Sequence, residues 1–450
     1  MHFLNYSRVF LIFFGIYIGC FNLLHSQEGF NLPKNQKRDK ISFKNINNLV
    51  IIPVEVNGTS LSFLLDTGVS STIIFSLGEK DSLEIRNTKP VKIRGMGDGE
   101  VIDAFKSSNN TVKIGDAIDT NHDLYLIFDK ALNFSPRMGI PVHGIIGYDF
   151  FNSFVVKTNY VSEKIIIYDP DNYRKRRCGG CQDFDMEFHK NKPYIDFTIP
   201  SVNSEKNSSH LLLDTGLSDS VWLFDENSYN VEDYFDDFLG LGLSGDIYGK
   251  RSKLDILGIG KFSLENVTVA FPKKDAIEAA LKHEKRDGSV GGGIIKRFIS
   301  IIDYQKKTIT LKKNKNFKDE FFYNMSGLTL EHNGMKVVKN EKKRVGSSDY
   351  SLDGQKFSGR TGNGVSLVTD IELVLAPRFI VADVRKNSPA DLAGIVVGTE
   401  ILKVNGKAAH SYKLYEIAKL FSSKSGKTIS LQIQQYGFIS KVKFILKKVI

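Results

Sequence analysis

The sequence predicts a mainly β protein built from two related lobes, with a separate α+β domain after them. Three observations carry this reading. A stretch of about 100 residues recurs once within the chain. Both copies consist of short apolar β segments broken by Gly- and Asn-rich turns. Beyond residue 320 the periodicity changes, and the charge changes with it. The last 130 residues hold 20 Lys+Arg against 10 Asp+Glu, which accounts for the whole net charge of +10. The chain is 450 residues long, enough for about three domains. Its 41% hydrophobic and 25% charged content suits packed cores and argues against wholesale disorder, collagen or a multispan membrane protein. The basic C-terminal part carries no nucleic-acid motif, so no nucleic-acid partner is expected.

In chain order, the first element is a targeting segment. Arg8 precedes the apolar run VFLIFFGIYIGCFNLL, residues 9–24. A basic end followed by a run of this length reads as a signal peptide over 1–26, with Ser26 as the small residue before the cut. Two alternatives stay open: an uncleaved anchor, and a lipoprotein modified at Cys20, although Tyr17 departs from the small aliphatic residue expected there. All three export the chain to the periplasm, the cell envelope or the medium. Any membrane contact would come through this N-terminal anchor alone. Export gives Cys178 and Cys181 a meaning, because in an oxidising compartment a local disulfide is the expectation. A redox role would want the pair at a helix start, and the intervening glycines oppose that. Zinc would need two more ligands where only His189 is near, so no metal is expected.

The repeat comes next. Residues 61–75 read LSFLLDTGVSSTIIF and residues 210–224 read HLLLDTGLSDSVWLF. Asp66 and Asp214 lie 148 residues apart. Downstream, HGIIGYDFFNSFVVKTNY aligns with GSVGGGIIKRFISIIDY, pairing Gly147 with Gly291, Phe154 with Phe298 and Tyr160 with Tyr304, each at an offset of 144. Composition alone would give Asp-Thr-Gly roughly 0.1 times in such a chain. The first copy opens with strand, Asn57-Gly58 hairpin turn, strand. KPYIDFTIP and SSHLLL form the matching pair in the second. The lobes are placed at 41–177 and 182–316, packed about a pseudo-twofold axis.

If that axis brings the two loops face to face, Asp66 and Asp214 become neighbouring carboxylates. Two carboxylates sharing a site do not both ionise readily, so one keeps a proton. The charged member can take a proton from water while the other donates to a carbonyl oxygen, which is general acid–base hydrolysis of a peptide bond with no cofactor. Thr67 and Thr215 can hydrogen-bond across to the opposite loop. Gly68 and Gly216 let backbone come close to the carboxylates.

On these residues the chain resembles the aspartic proteases of the retropepsin-like clan, with both lobes in one chain as in pepsins, over roughly residues 41–316. The resemblance implies that Ile145-Ile146-Gly147 and Ser289-Val290-Gly291 thread beside the catalytic loops, Ser289 departing from the apolar rule. It also implies a flap, and IRGMGDGEV supplies one at Gly95, Met96, Gly97 and Gly99. LGLGLSGDIYG stands at the matching place in the second lobe. The Ser that directly follows Asp-Thr-Gly in pepsins is here Val69 and Leu217, with the supporting serines one further on at Ser70 and Ser218. Losing a hydrogen bond to the charged form raises a carboxyl pKa, so a mildly acidic to near-neutral optimum is expected.

After residue 322 the pattern is strand, Ser388-Pro389-Ala390 opening a short helix, Gly394 ending it, strand 400–404, an Asn405-Gly406 turn, and a helical face of Leu414, Ile417 and Phe421. This resembles a PDZ domain of the bacterial periplasmic type over 322–450. The resemblance implies capture of a C-terminal peptide, its carboxylate held by Ser326, Gly327 and Leu328. A polar insertion at about 339–370 interrupts the match. The expected function is thus an exported aspartic endopeptidase acting on protein or peptide substrates, with a PDZ module for recruitment. The alternative is a non-catalytic peptide-binding scaffold of the same fold.

Overall fold

The computed structural model describes residues 29–450 apart from 76, 78–82, 98, 130–131, 203–207, 230, 232 and 348–364. Residues 1–26, expected to be a signal peptide, lie with Cys20 outside the described residues.

The Asn57-Gly58 turn forms where the sequence places it. Both residues are left-handed, with φ of 47° and 84°, as a two-residue hairpin between right-twisted strands requires. It joins Leu49–Val56 to Thr59–Leu65, whose alternating residues turn into the core. These strands begin an eight-stranded sheet ordered Lys44–Ile46, Leu49–Val56, Thr59–Leu65, Gly144–Ile146, Thr72–Ile74, Ala117–Leu126, Ile102–Ile114, Thr88–Ile93. The second lobe repeats the order strand for strand: Glu187–His189, Lys192–Thr198, Ser208–Leu213, Gly288–Val290, Val221–Leu223, Phe262–Pro272, Gly245–Ile259, Phe235–Gly242. In each lobe the strand before the Asp-Thr-Gly loop runs parallel to the strand that leads into the downstream glycine.

A third sheet of six strands joins the halves: Arg38–Ser42, Lys164–Tyr168, Val155–Asn159, Phe298–Asp303, Thr308–Lys313, Cys181–Asp185. Its centre is the antiparallel pair Val155–Asn159 with Phe298–Asp303, in which Lys157 faces Ile301. Those two are repeat equivalents, so the pseudo-twofold axis passes between them. Buried apolar side chains from both lobes and this sheet form one continuous core.

Lobe 1 starts earlier than residue 41. Phe30 is 3% exposed and packs on Phe150 and His122, and Arg38–Ser42 is a strand of the joining sheet. The lysine-rich composition of residues 34–40 resembles a linker, and the pairing with Lys164–Tyr168 overrides it. Cys178 and Cys181 are disulfide-bonded in the connection between lobes, their Cα atoms 5.5 Å apart.

The C-terminal domain has its own core, from Tyr323 to Ile450. Its sheet runs Leu328–Ser347, Val365–Val384, Glu400–Val404, Thr428–Gln435, Phe438–Ile445, with helices Pro389–Leu392 and Leu414–Phe421. Ser388 caps the first helix by accepting from the Asp391 amide. Leu414, Ile417 and Phe421 are buried in the core. Of the stretch read as a polar insertion, residues 339–347 and 365–370 continue the first two strands, paired out to Ser347 with Val365, and the rest lies outside the described residues.

Candidate active site

Each Asp-Thr-Gly loop hangs between a strand and the glycine of its own lobe. The Asp66 amide donates to Ile146 O at 2.8 Å, and the Asp214 amide to Val290 O at 2.9 Å. A Cβ on Gly147 would lie 2.1 Å from Asp66 O, so only glycine lets that strand end run alongside the loop. The threonines lock the loops to each other. Thr67 Oγ1 donates to Leu213 O at 2.5 Å, and Thr215 Oγ1 donates to Leu65 O at 2.8 Å. Each hydroxyl also accepts the other threonine's amide at 3.0 Å. Four buried hydrogen bonds thus cross between the lobes.

This grip aims both carboxylates at one point. The Gly216 amide lies 3.1 Å from Oδ1 of Asp66 and 3.1 Å from Oδ1 of Asp214. Gly68 N donates to Asp66 Oδ1 at 2.6 Å. Burial and the Asp214 charge push the Asp66 carboxyl up to about 8. Asp214 is also raised by burial, but the positive charges of Arg286 and Lys192 oppose this, as does its hydrogen bond with Asp66. Two carboxyls this close share a proton rather than both ionising, and the Arg286 cation favours the charged form at Asp214.

Arg286 and Lys192 were missed in the sequence. Arg286 is 8% exposed and donates to Ser289 Oγ at 2.6 Å and to Gly288 O at 3.1 Å. The repeat alignment held the signal, since the offset of 144 sets Arg286 against Val142 and Ser289 against Ile145. The departure at Ser289 is thereby explained: its hydroxyl receives a buried guanidinium that lobe 1 lacks.

Ser70 and Ser218 do not act as supports. Ser70 is exposed, and neither hydroxyl is hydrogen-bonded to a carboxylate among the described residues. The loops turn one residue earlier, where the Val69 and Leu217 carbonyls accept from Tyr148 and Gly292. That turn carries the serines outward.

Two hairpin tips, one from each lobe, meet each other. Gly95, Met96, Gly97 and Gly99 lie between strands Thr88–Ile93 and Ile102–Ile114, and Leu243 and Ser244 between Phe235–Gly242 and Gly245–Ile259. The tips bond to each other: Ser244 N to Met96 O at 2.9 Å, Gly99 N to Ser244 O at 2.5 Å, and Gly95 N to Ser244 Oγ at 3.0 Å. Met96 packs against apolar clusters of the second lobe, and Leu243 against one of the first.

The loop Ser326-Gly327-Leu328 is not an open carboxylate cradle. The Ser326 and Gly327 amides donate to Asn324 Oδ1, and the Leu328 amide to Ser326 Oγ. Asn324, four residues upstream of the strand, supplies the acceptor that a peptide carboxylate would have to replace.

Two mirrored loops that bring a pair of carboxylates to one backbone amide, and two hairpin tips bonded to each other, make up a bilobal arrangement. Comparison with known families agrees with it. Residues 52–150, the first lobe from its opening hairpin to the return glycine, match the aspartyl protease family. Residues 380–435 match the PDZ domain. The chain thus joins an aspartyl protease domain to a C-terminal PDZ domain, and PDZ domains take peptide or protein partners.

Proposed function

We propose that the protein is an aspartic endopeptidase in which Asp66 is the general acid and Asp214 the general base of the first step. The observation that carries this is the convergence of both carboxylates on the Gly216 amide, with the threonine grip intact on both sides. Asp214 takes a proton from water as its oxygen attacks the scissile carbonyl carbon. Asp66 gives its proton to the carbonyl oxygen, producing a neutral gem-diol. Asp214 then returns its proton to the leaving nitrogen while Asp66 takes one from a gem-diol hydroxyl, and the C–N bond breaks. The closed tips exclude bulk water and open to admit an extended peptide. The PDZ domain recruits protein substrates. The N-terminal apolar run and the Cys178–Cys181 disulfide support export to an oxidising compartment.

The test is cleavage of a peptide library. Activity blocked by pepstatin and removed by Asp66→Asn or Asp214→Asn supports the reading. A folded, wild-type protein that cuts nothing and still binds peptides leaves the scaffold alternative standing.

A further inference from the structure

The PDZ domain does not hang free of the protease lobes. Arg385, 8% exposed at the end of its second long strand, points its guanidinium into lobe 2. Nη1 lies 3.4 Å from Oδ1 of Asp237, on the outer strand of the second hairpin, and the group stacks 4.3 Å over the Phe235 ring. The other oxygen of Asp237 receives Arg251 Nε at 2.9 Å. Arg251 Nη1 then reaches Asp219 Oδ1 at 3.0 Å, in the loop that carries Asp214. Asp219 Oδ2 accepts from Trp222 Nε1 at 2.8 Å, and its carbonyl accepts from Gly293 N at 3.1 Å. Four charged groups thus alternate in sign from the PDZ domain, through the hairpin, to the catalytic loop. All are largely shielded from solvent, the two aspartate side chains being 12% and 19% exposed. Ion pairs held this way are weakly screened and geometrically exacting.

A second contact bears on the same hairpin. Arg137, on helix Ser135–Met138 of lobe 1, bridges Asp246 at 3.1 Å, just past the hairpin tip, and faces Glu331 of the first PDZ strand at 4.0 Å. Behind it, Gly139 has φ of 68° and packs so tightly on Leu414 that a Cβ would fall 2.5 Å from that side chain.

We infer that Arg385 is a positioning residue for the catalytic site, and that the PDZ domain braces the second hairpin and the Asp214 loop through Asp237, Arg251 and Asp219. The domain is therefore part of the machinery that sets turnover on every substrate, including peptides too short to reach it. The kinetic arm of this inference rests on the proposed protease activity; the structural arm does not. One nitrogen of the relay, Arg385 Nη2, is buried without a hydrogen-bond partner. Such a group is costly to bury, and its retention fits a residue held for geometry.

The chain's single tryptophan makes the test direct, because Trp222 donates to the far end of the relay. Arg385→Met, Asp237→Asn and the double variant are made in the full chain. Trp222 emission and its quenching by acrylamide are read without substrate, and kcat and KM are read on a short peptide. The expected result is a changed Trp222 signal in both single variants. The kcat should fall roughly ten- to hundredfold with little change in KM, and the double variant should be no worse than the more affected single one. Arg385→Lys, which keeps the charge without the fork, should lie between. Should Arg385→Met fail to fold, the isosteric Asp237→Asn carries the test alone. An unaltered Trp222 signal in the folded variants, or kcat losses that multiply in the double variant, overturns the inference. A wild type that cleaves nothing overturns the proposed activity instead, and the fluorescence arm still decides the coupling.

Discussion

Replacing Asp66 by Asn should stabilise the protein while abolishing its chemistry, and the stabilisation should depend on pH in a way that no packing change imitates. The Asp66 carboxyl stands at about 8 in the folded chain against an ordinary 3.8. At pH 7 the folded protein therefore holds a proton that the unfolded chain has released. A folded-state pKa raised in this way favours folding fully below 3.8, and the benefit drains away as the pH climbs toward 8. Between 3.8 and 7 the loss is roughly 4 kcal/mol at about 1.36 kcal/mol per pH unit. Because the pair shares one proton, part of that belongs to Asp214, leaving on the order of 2–4 kcal/mol for Asp66. Asparagine is neutral throughout and keeps an oxygen for the Gly68 and Gly216 amides. Asp66→Asn should match the wild type near pH 4 and exceed it by pH 7, by roughly 5–10 °C in Tm for a unit of this size. Differential scanning calorimetry of both proteins from pH 4 to 8 measures this, other titrations cancelling in the difference. Asp214→Asn should gain less, because Arg286 offsets the Asp214 charge whereas Lys192 acts on both carboxyls. An advantage that is constant across the range, or a variant less stable than wild type at pH 7, would refute the assigned protonation.

The pH–rate profile of peptide cleavage should be bell-shaped and near neutral. Its alkaline limb falls near 8 as Asp66 loses its proton, and its acid limb lies above the ordinary 3.8 of an aspartate because Asp214 is raised; a maximum at gastric acidity would contradict both. Arg286→Met should move the acid limb to higher pH, since the cation that steadies the Asp214 charge is gone. Thr67→Val leaves the Thr215 amide and the Leu213 carbonyl without partners in a dry site, which should cost about 1–3 kcal/mol in urea unfolding for each orphaned group, whereas Thr67→Ser should retain most of the stability. Gly216→Ala would place a Cβ 2.2 Å from Asp66 Oδ2, so kcat should drop by roughly a hundredfold or more in a protein that still folds.

The parts of this molecule that were legible in the sequence are those encoded locally and twice. The Asn57-Gly58 turn, the strands flanking Asp66 and Asp214 and the returning glycines all appear where their residue patterns put them, because each depends on a few neighbours and the second copy checks the first. The C-terminal capping pattern at Ser388 and the Asn405-Gly406 turn were readable on the first ground alone, each depending on a few neighbours. Strand Arg38–Ser42 and the extended pairing beyond Lys339 were not, since their lysines conceal the alternation and only a distant partner strand makes them β. The meeting of the hairpin tips, the Arg385–Asp237–Arg251–Asp219 relay and the capping of the 326–328 loop by Asn324 are all properties of tertiary placement. No spacing rule announces them.

The same topology carries different electrostatics in its two copies, and this is what a single-chain duplication allows. Across Leu64, two residues before Asp66, the neighbouring strands set Ile51 and Ile145. Across Leu212, two residues before Asp214, they set Tyr194 and Ser289. The layer behind Asp66 is therefore apolar, while that behind Asp214 holds a hydroxyl, a phenol and the Arg286 cation. Two identical half-sites would have to break symmetry at each encounter to decide which carboxylate keeps the proton. Here the two layers differ, the apolar side penalising charge and the cationic side tolerating it, which is the asymmetry the proposed roles of Asp66 and Asp214 use. Exchanging the layers, with Arg286→Val and Ser289→Ile in lobe 2, should return the pair to near equivalence. The stability advantage of Asp66→Asn over Asp214→Asn would then disappear.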